Sequence, residues 1–251
     1  MSIKPLKQNG PVILMIYHGS QRADRVSRLL QQLGYELKWL NPASGDALPE
    51  NLDAYFAVVV YGGVQSVNDD QPFVRAEQQW INRWIEQQRP YLGLCLGSQF
   101  LARALGMQVR KITGQSVETG YIRVEPVGDT PFLKHPMYVF EWHNEGYELP
   151  DGCTKFAQGS VCPTQGYYYK PWIVGLQFHP EVTPHVAIEW FASGGHQQLL
   201  QGAHAVERQL RDAQVFEPIL EQWTTELLQT WLGAAIQNSP QPEPVKEIQH
   251  G

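Results

Sequence analysis

The chain has 251 residues, room for one large domain or two small ones, and 43% hydrophobic and 18% charged residues, an ordinary globular balance. Its net charge of -6 comes without a basic block, which argues against a nucleic-acid partner. Three cysteines, Cys95, Cys153 and Cys162, are odd in number and widely spaced, so they compose no disulfide framework and suit a reducing cytoplasm.

Near the N-terminus, Lys4 and Lys7 precede the apolar run Val12 to Tyr17. That run is too short for a signal core with its cleavage site or for a membrane span, so a soluble, cytoplasmic protein is expected. Pro11 to Tyr17 instead reads as a strand buried on both faces, of the kind found in parallel sheets. Ser20 is placed to cap a helix running to about Leu33, which Gly34 stops. Tyr35 to Leu40 and Tyr55 to Tyr61 are predicted strands, the second ending at Gly62-Gly63. Val74 to Gln88 is a predicted helix with Trp80, Ile81, Trp84 and Ile85 on one stripe. Strand and helix alternate through the first 105 residues, which predicts an α/β fold with a mostly parallel, doubly wound (flavodoxin-like) sheet.

The most informative stretch follows. Residues 90–99, Pro-Tyr-Leu-Gly-Leu-Cys-Leu-Gly-Ser-Gln, read as a strand turning sharply into a helix, roughly Ser98 to Leu105. Gly93 and Gly97 flank Cys95 as Gly-x-Cys-x-Gly, a thiol version of the nucleophile elbow. The positive end of the following helix would favour thiolate over thiol. The plain alternative is a buried cysteine in an ordinary turn.

From about Lys111 the pattern changes to an added small β region. Tyr121 to Val127, Met137 to Trp142, Cys153 to Gln158 and Gly166 to Tyr169 are predicted short strands. Ile173 to Phe178 is a last buried strand, ending in His179-Pro180-Glu181, and Thr183-Pro184 opens a helix to about Phe191. These elements make up an expected domain over 1–195. A helical extension over 196–236, with Leu220, Trp223, Leu227 and Trp231 on a stripe, is expected to pack on it as a helix pair or to offer a dimer or partner surface. Residues 237–251, polar and proline-rich, are expected to form a disordered tail.

A thiolate nucleophile needs a proton-transfer partner, and that partner needs an orienting group. His179 and Glu181 lie two residues apart, on the same side of an extended chain. In a parallel sheet the strand ends after Cys95 and His179 open on one rim. A core histidine, or a metal pair His179-x-Glu181 with His185, are the competing readings of the same residues.

Gly-Leu-Cys-Leu-Gly-Ser-Gln (93–99) and Gln-Phe-His-Pro-Glu (177–181) together resemble the class I glutamine amidotransferases with their Cys-His-Glu triad. Tyr-Gly-Gly-Val-Gln-Ser-Val-Asn-Asp (61–69) is similar to that family's Gly-Gly-Pro loop. Val-Phe-Glu-Trp-His-Asn-Glu (139–145), Leu149-Pro150 and residues 160–165 resemble the branch akin to the amidotransferase domain of GMP synthase. The resemblance covers about residues 11 to 192. It implies Cys95 as nucleophile, His179 as acid and base, Glu181 as its orienter, and backbone N–H groups of Gly63 and Leu96 as the oxyanion hole. Gln99 and His143 match family positions that imply substrate binding. Val64 stands where the family usually has proline, which leaves the oxyanion loop free to rotate. No cofactor and no metal are implied, and no Gly-x-x-x-x-Gly-Lys-[Ser/Thr] loop occurs. Three functions fit: a glutaminase supplying a separate synthetase subunit with ammonia, a self-sufficient hydrolase of another γ-glutamyl compound, or a non-catalytic binding protein. A homo-oligomer through the C-terminal helices is a further expectation.

Overall fold

The computed structural model describes residues 11–19, 24–112, 117–193 and 201–238. Among them a nine-stranded sheet runs through the molecule in the order β2-β1-β3-β4-β11-β10-β9-β6-β7. Strands β1 (Val12–Ile16), β2 (Glu36–Leu40), β3 (Ala57–Val60), β4 (Tyr91–Leu94) and β11 (Ile173–Leu176) pair in parallel. The side chains of β1 alternate between two cores, as the pleat requires. Ile13 and Met15 join one, Leu14 and Ile16 the other. That two-sided burial is why β1, β3, β4 and β11 read as apolar runs, whereas β2 at the sheet edge, Glu-Leu-Lys-Trp-Leu, does not.

The second half of the sheet is antiparallel: β10 (Gly166–Lys170), β9 (Thr154–Gln158), β6 (Glu118–Pro126) and β7 (Met137–His143). The small added β region expected from the sequence is present, and its strands continue the main sheet. The reason is local. Lys170 pairs with Ile173 across a two-residue turn, Pro171-Trp172, so β10 folds straight back onto β11. Among the described residues only β5 (Val109–Lys111) and β8 (Glu145–Tyr147), neither of them predicted, form a separate two-stranded piece.

Helices α1 (Arg25–Gln32), α2 (Pro72–Glu86), α3 (Leu96–Ala104), α4 (Pro184–Ser193) and α5 (Val206–Asn238) cover the two faces. The N-cap of α1 is Asp24, whose carboxylate accepts the Ser27 N–H at 2.9 Å; the predicted cap, Ser20, lies outside the described residues. Among the described residues the C-terminal extension holds a single 33-residue helix. Residues 201–205 precede it without helical structure, Ala203 bridging to Thr119, and residues 196–200 lie outside the described residues. Helix α5 continues to Asn238, two residues into the expected tail, and the remainder of that tail, 239–251, also lies outside them. Leu220, Trp223, Leu227 and Trp231 are buried in the core beside α1, β6 and β7. The indole N–H groups of Trp223 and Trp231 donate to the carbonyls of Phe132 and Trp172 at 2.8 and 3.0 Å. The apolar stripe, expected to pack on the domain or to offer a dimer or partner surface, therefore packs within the chain. Among the described residues no helix is long and apolar enough to cross a membrane.

Candidate active site

Cys95 occupies the turn between β4 and α3, with φ 48° and ψ -103°, a conformation that a side chain adopts only under strain. Both flanking glycines are required by space. A Cβ on Gly93 would meet the Gly97 carbonyl at 2.6 Å, and one on Gly97 would meet the Val60 carbonyl at 2.0 Å. The strained turn is held from all sides. The Cys95 N–H donates to Leu176 O at 2.8 Å, and the Ser98 hydroxyl donates to Cys95 O at 2.7 Å. Tyr91, Tyr147 and Tyr167 donate their hydroxyls to Gly97 O, Ser98 Oγ and Ser98 O. Leu96 is the first residue of α3, so its N–H has no acceptor within the helix.

Beyond β11, the His179 N–H donates to Phe140 O at 2.8 Å, and its Nδ1 lies 2.7 Å from Glu181 Oε1. Trp190 packs edge-on against the imidazole at 4.9 Å. The pair is buried. Burial by itself would lower the His179 pKa, but the charges of Glu181 and Cys95 and hydrogen bonding to both push it up to about 10. With Nδ1 committed to the carboxylate, Nε2 is the nitrogen left to serve Cys95. The backbone of Gly62 brings these groups together. A Cβ built on it would lie 2.7 Å from His179 Cε1 and 3.4 Å from Cys95 Cβ.

Gly63, Cys95, Leu96, Gln99, Trp142 and His143 line one cleft, with Val64 at its rim and 94% exposed. Gln99 is buried, its Nε2 3.4 Å from both Glu145 O and Gln177 Oε1. Gln177 in turn aims its Nε2 at Cys95 Sγ, 3.6 Å away. Sequence reasoning passed over Gln177 as a site residue. The available signal was its position two residues before His179. His143 borders the cavity, but its ring is committed elsewhere. Nδ1 lies 2.9 Å from Glu145 O, and Nε2 makes ion-pair contacts to Glu141 at 3.1 Å and Glu118 at 3.3 Å. Burial opposes its charge, yet the two carboxylates hold its pKa well above the ordinary value. Burial also pushes Glu141 up to about 7, against the pull of His143. His185 is remote from this chemistry, exposed on α4 and paired with Glu189 at 3.5 Å. Among the described residues, no group of three or more His, Cys, Asp or Glu side chains could hold a metal ion.

A cysteine elbow at the rim of a mostly parallel sheet, facing a carboxylate-held histidine on the adjoining strand, marks the flavodoxin-like proteins that present a thiol at a strand end. Within that class, the family described as "Glutamine amidotransferase class-I" matches residues 14–192, and the chain belongs to it. It is 31% identical over 197 residues to the glutamine amidotransferase-like protein YfeJ of Salmonella typhimurium, covering 75% of this chain and 82% of that protein. It is 30% identical over 175 residues to a subunit of the glutamine-hydrolyzing GMP synthase of Thermoplasma acidophilum, covering 68% and 84%. A solved glutamine amidotransferase from Thermotoga maritima superposes with a TM-score of 0.80 at 26% identity, over 90% of this chain and 99% of that one. The domain is thus a GMP synthase-like class-I glutamine amidotransferase domain.

Proposed function

We propose that the protein hydrolyses the side-chain amide of glutamine through a thioester on Cys95 and passes the ammonia to a separate acceptor enzyme. The supporting observation is the convergence of the strained Cys95 and the His179–Glu181 pair on the backbone of Gly62. In this reading the Cys95 sulfur attacks the amide carbon while His179 carries the thiol proton on Nε2. The tetrahedral oxyanion sits on the N–H groups of Gly63 and Leu96, worth about 3 kcal/mol per donor. Collapse breaks the C–N bond, and His179 delivers its proton to the departing ammonia. Water then enters, gives a proton to His179 and attacks the thioester, releasing glutamate and restoring the thiol. Glu181 keeps the Nδ1 proton in place and stabilises the imidazolium. Gln99 and His143 border the substrate: Gln99 as a direct contact, His143 by fixing the Glu145 carbonyl that Gln99 also meets. A separate synthetase as acceptor is supported by the likeness to a protein named as one subunit of GMP synthase.

A glutamine-like chloroketone tests the nucleophile. It should label Cys95 ahead of Cys153, whose thiol burial and Asp151 push up to about 12, and Cys162, pushed up to about 11 mainly by burial. Equal labelling of the three in a peptide map would remove the basis for the proposal. Ammonia release from glutamine should vanish in Cys95→Ala. Fast turnover of a γ-glutamyl peptide with hardly any of glutamine would replace the amidotransferase with a γ-glutamyl hydrolase.

A further inference from the structure

His18 and Glu77 form an ion pair that the chemistry above does not use. Both side chains are fully enclosed, and they sit directly behind the Gly62-Gly63 turn. His18 follows β1, and Glu77 projects from α2. The imidazole Nε2 lies 3.0 and 2.9 Å from the two Glu77 carboxylate oxygens, while Nδ1 lies 3.2 Å from the Gly62 carbonyl oxygen. Phe100 of α3 stacks on the ring at 6.3 Å. The remaining ionisable neighbour of the pair is Tyr91, within the field of Glu77, and its hydroxyl is already donated to Gly97 O.

Both ring nitrogens face acceptors, so both carry protons: Nδ1–H on the carbonyl and Nε2–H on the carboxylate. Burial works against that charge. The Glu77 charge and hydrogen bond, with the carbonyls of Gly62 and Tyr61, outweigh it and hold the His18 pKa above its usual value. An enclosed ion pair is costly to assemble, and a single-purpose packing role could be filled by two apolar side chains. What the pair supplies here is a fixed donor to one carbonyl.

That carbonyl belongs to the peptide whose N–H is Gly63. Peptide bonds among the described residues are trans, so the Gly62 C=O and the Gly63 N–H point in opposite directions from one rigid plane. A carbonyl turned to His18 sends the N–H away from His18. Among the described residues no carbonyl or side chain takes that N–H, and Gly63 lines the same cavity as Cys95 and Leu96. Proline, the residue the family resemblance puts at position 64, is absent, and Val64 is 94% exposed with little packing to hold the loop from that side.

We infer that His18, braced by Glu77, is the positioning residue that fixes the Gly62–Gly63 peptide with its N–H facing the Cys95 cavity, so that the oxyanion hole is set before substrate arrives. This rests on the glutaminase reading for its catalytic meaning, but the peptide orientation can be tested apart from it.

Two variants separate the two ring nitrogens, both made on a Glu77→Gln background so that no carboxylate is left buried without its partner. His18→Asn carries an amide N–H near the Nδ1 position, whereas His18→Gln carries one near Nε2 and leaves the Gly62 carbonyl without a donor. Loss of one oxyanion donor lowers kcat by about 100-fold or more. The expected result for His18→Gln is a fall of about 100-fold in kcat for ammonia release, with KM for glutamine little changed. His18→Asn should stay within about fivefold of Glu77→Gln alone. In crystal structures of the variants the Gly62 carbonyl should turn away only in His18→Gln. Equal activity of the two variants, or a Gly62 carbonyl that keeps its direction in His18→Gln, overturns the inference. If wild type releases no ammonia, the proposed function fails, and the carbonyl direction in the two variant structures still decides the role of His18.

Discussion

Gly62→Ala adds one methyl group at the point where the loop after β3 touches both partners of the proposed chemistry. Position 62 does not have a left-handed φ, so the substitution tests space alone. The new Cβ would stand 2.7 Å from His179 Cε1, whereas its 3.4 Å distance to Cys95 Cβ is already ordinary contact. The imidazole must therefore give way by about 0.7 Å, since carbon pairs closer than van der Waals contact repel steeply. It has little room to do so. Its Nδ1 is 2.7 Å from Glu181, its backbone N–H is bonded to Phe140, and Trp190 stands against the ring. Overpacking of this kind costs about 1–3 kcal/mol, and a chain of this size loses roughly 2–4 °C in Tm per kcal/mol. Catalysis should suffer more, because a misplacement approaching 1 Å costs on the order of 100-fold in rate. The expected outcome is a folded enzyme, a few degrees less stable, with glutaminase kcat reduced by about 100-fold. Coupled ammonia release and differential scanning fluorimetry provide both numbers. Turnover within threefold of wild type would refute the claim that Gly62 is glycine because His179 and Cys95 meet there.

Two further predictions concern buried charge. Glu141→Gln should flatten the pH dependence of stability. The carboxyl is raised from an ordinary value to about 7, so the folded state holds a proton that the unfolded chain releases, and stability is lost as pH rises from about 4.5 to 7. Urea denaturation at pH 5, 6 and 7 should show that slope in wild type and a smaller one in the variant; identical slopes would refute it. Arg25→Met should destabilise by about 2 kcal/mol, seen as a lower urea midpoint, because it leaves the partly buried Glu217 and the Pro180 carbonyl on the catalytic turn without their donor. The Arg25 guanidinium, 1% exposed, pairs with Glu217 and Glu221 and donates to Pro180 O at 2.5 Å, so ammonia release should fall as well.

Much of this architecture is legible in the sequence because its cause is local. Apolar runs such as 12–16 and 57–60 are strands buried on both faces, and the alternation of strands and helices dictates parallel order. Gly93 and Gly97 announce the elbow because no other residue leaves room for the carbonyls of Gly97 and Val60. Glu181 was foreseeable as the partner of His179 from their spacing, although the structure joins them on a turn, with the Val182 N–H donating to His179 O at 3.4 Å, and not on an extended chain. Other features arise only from residues far apart in the chain. Gln177 reaches Cys95 across 82 positions, and His18 reaches Glu77 across 59. No periodicity links such pairs, since their proximity comes from strand order and not from spacing. The short strands β10, β9, β6 and β7 carry no mark of which sheet they join; the tight turn onto β11 decides it. The stripe on α5 was visible as apolar, but whether it faced another molecule or this one depended on the open face of the sheet beside α1. His143 shows the same division. Its presence near the site was readable, and Glu141 lies two residues before it on the same strand, while Glu118 comes opposite it only when β6 pairs with β7.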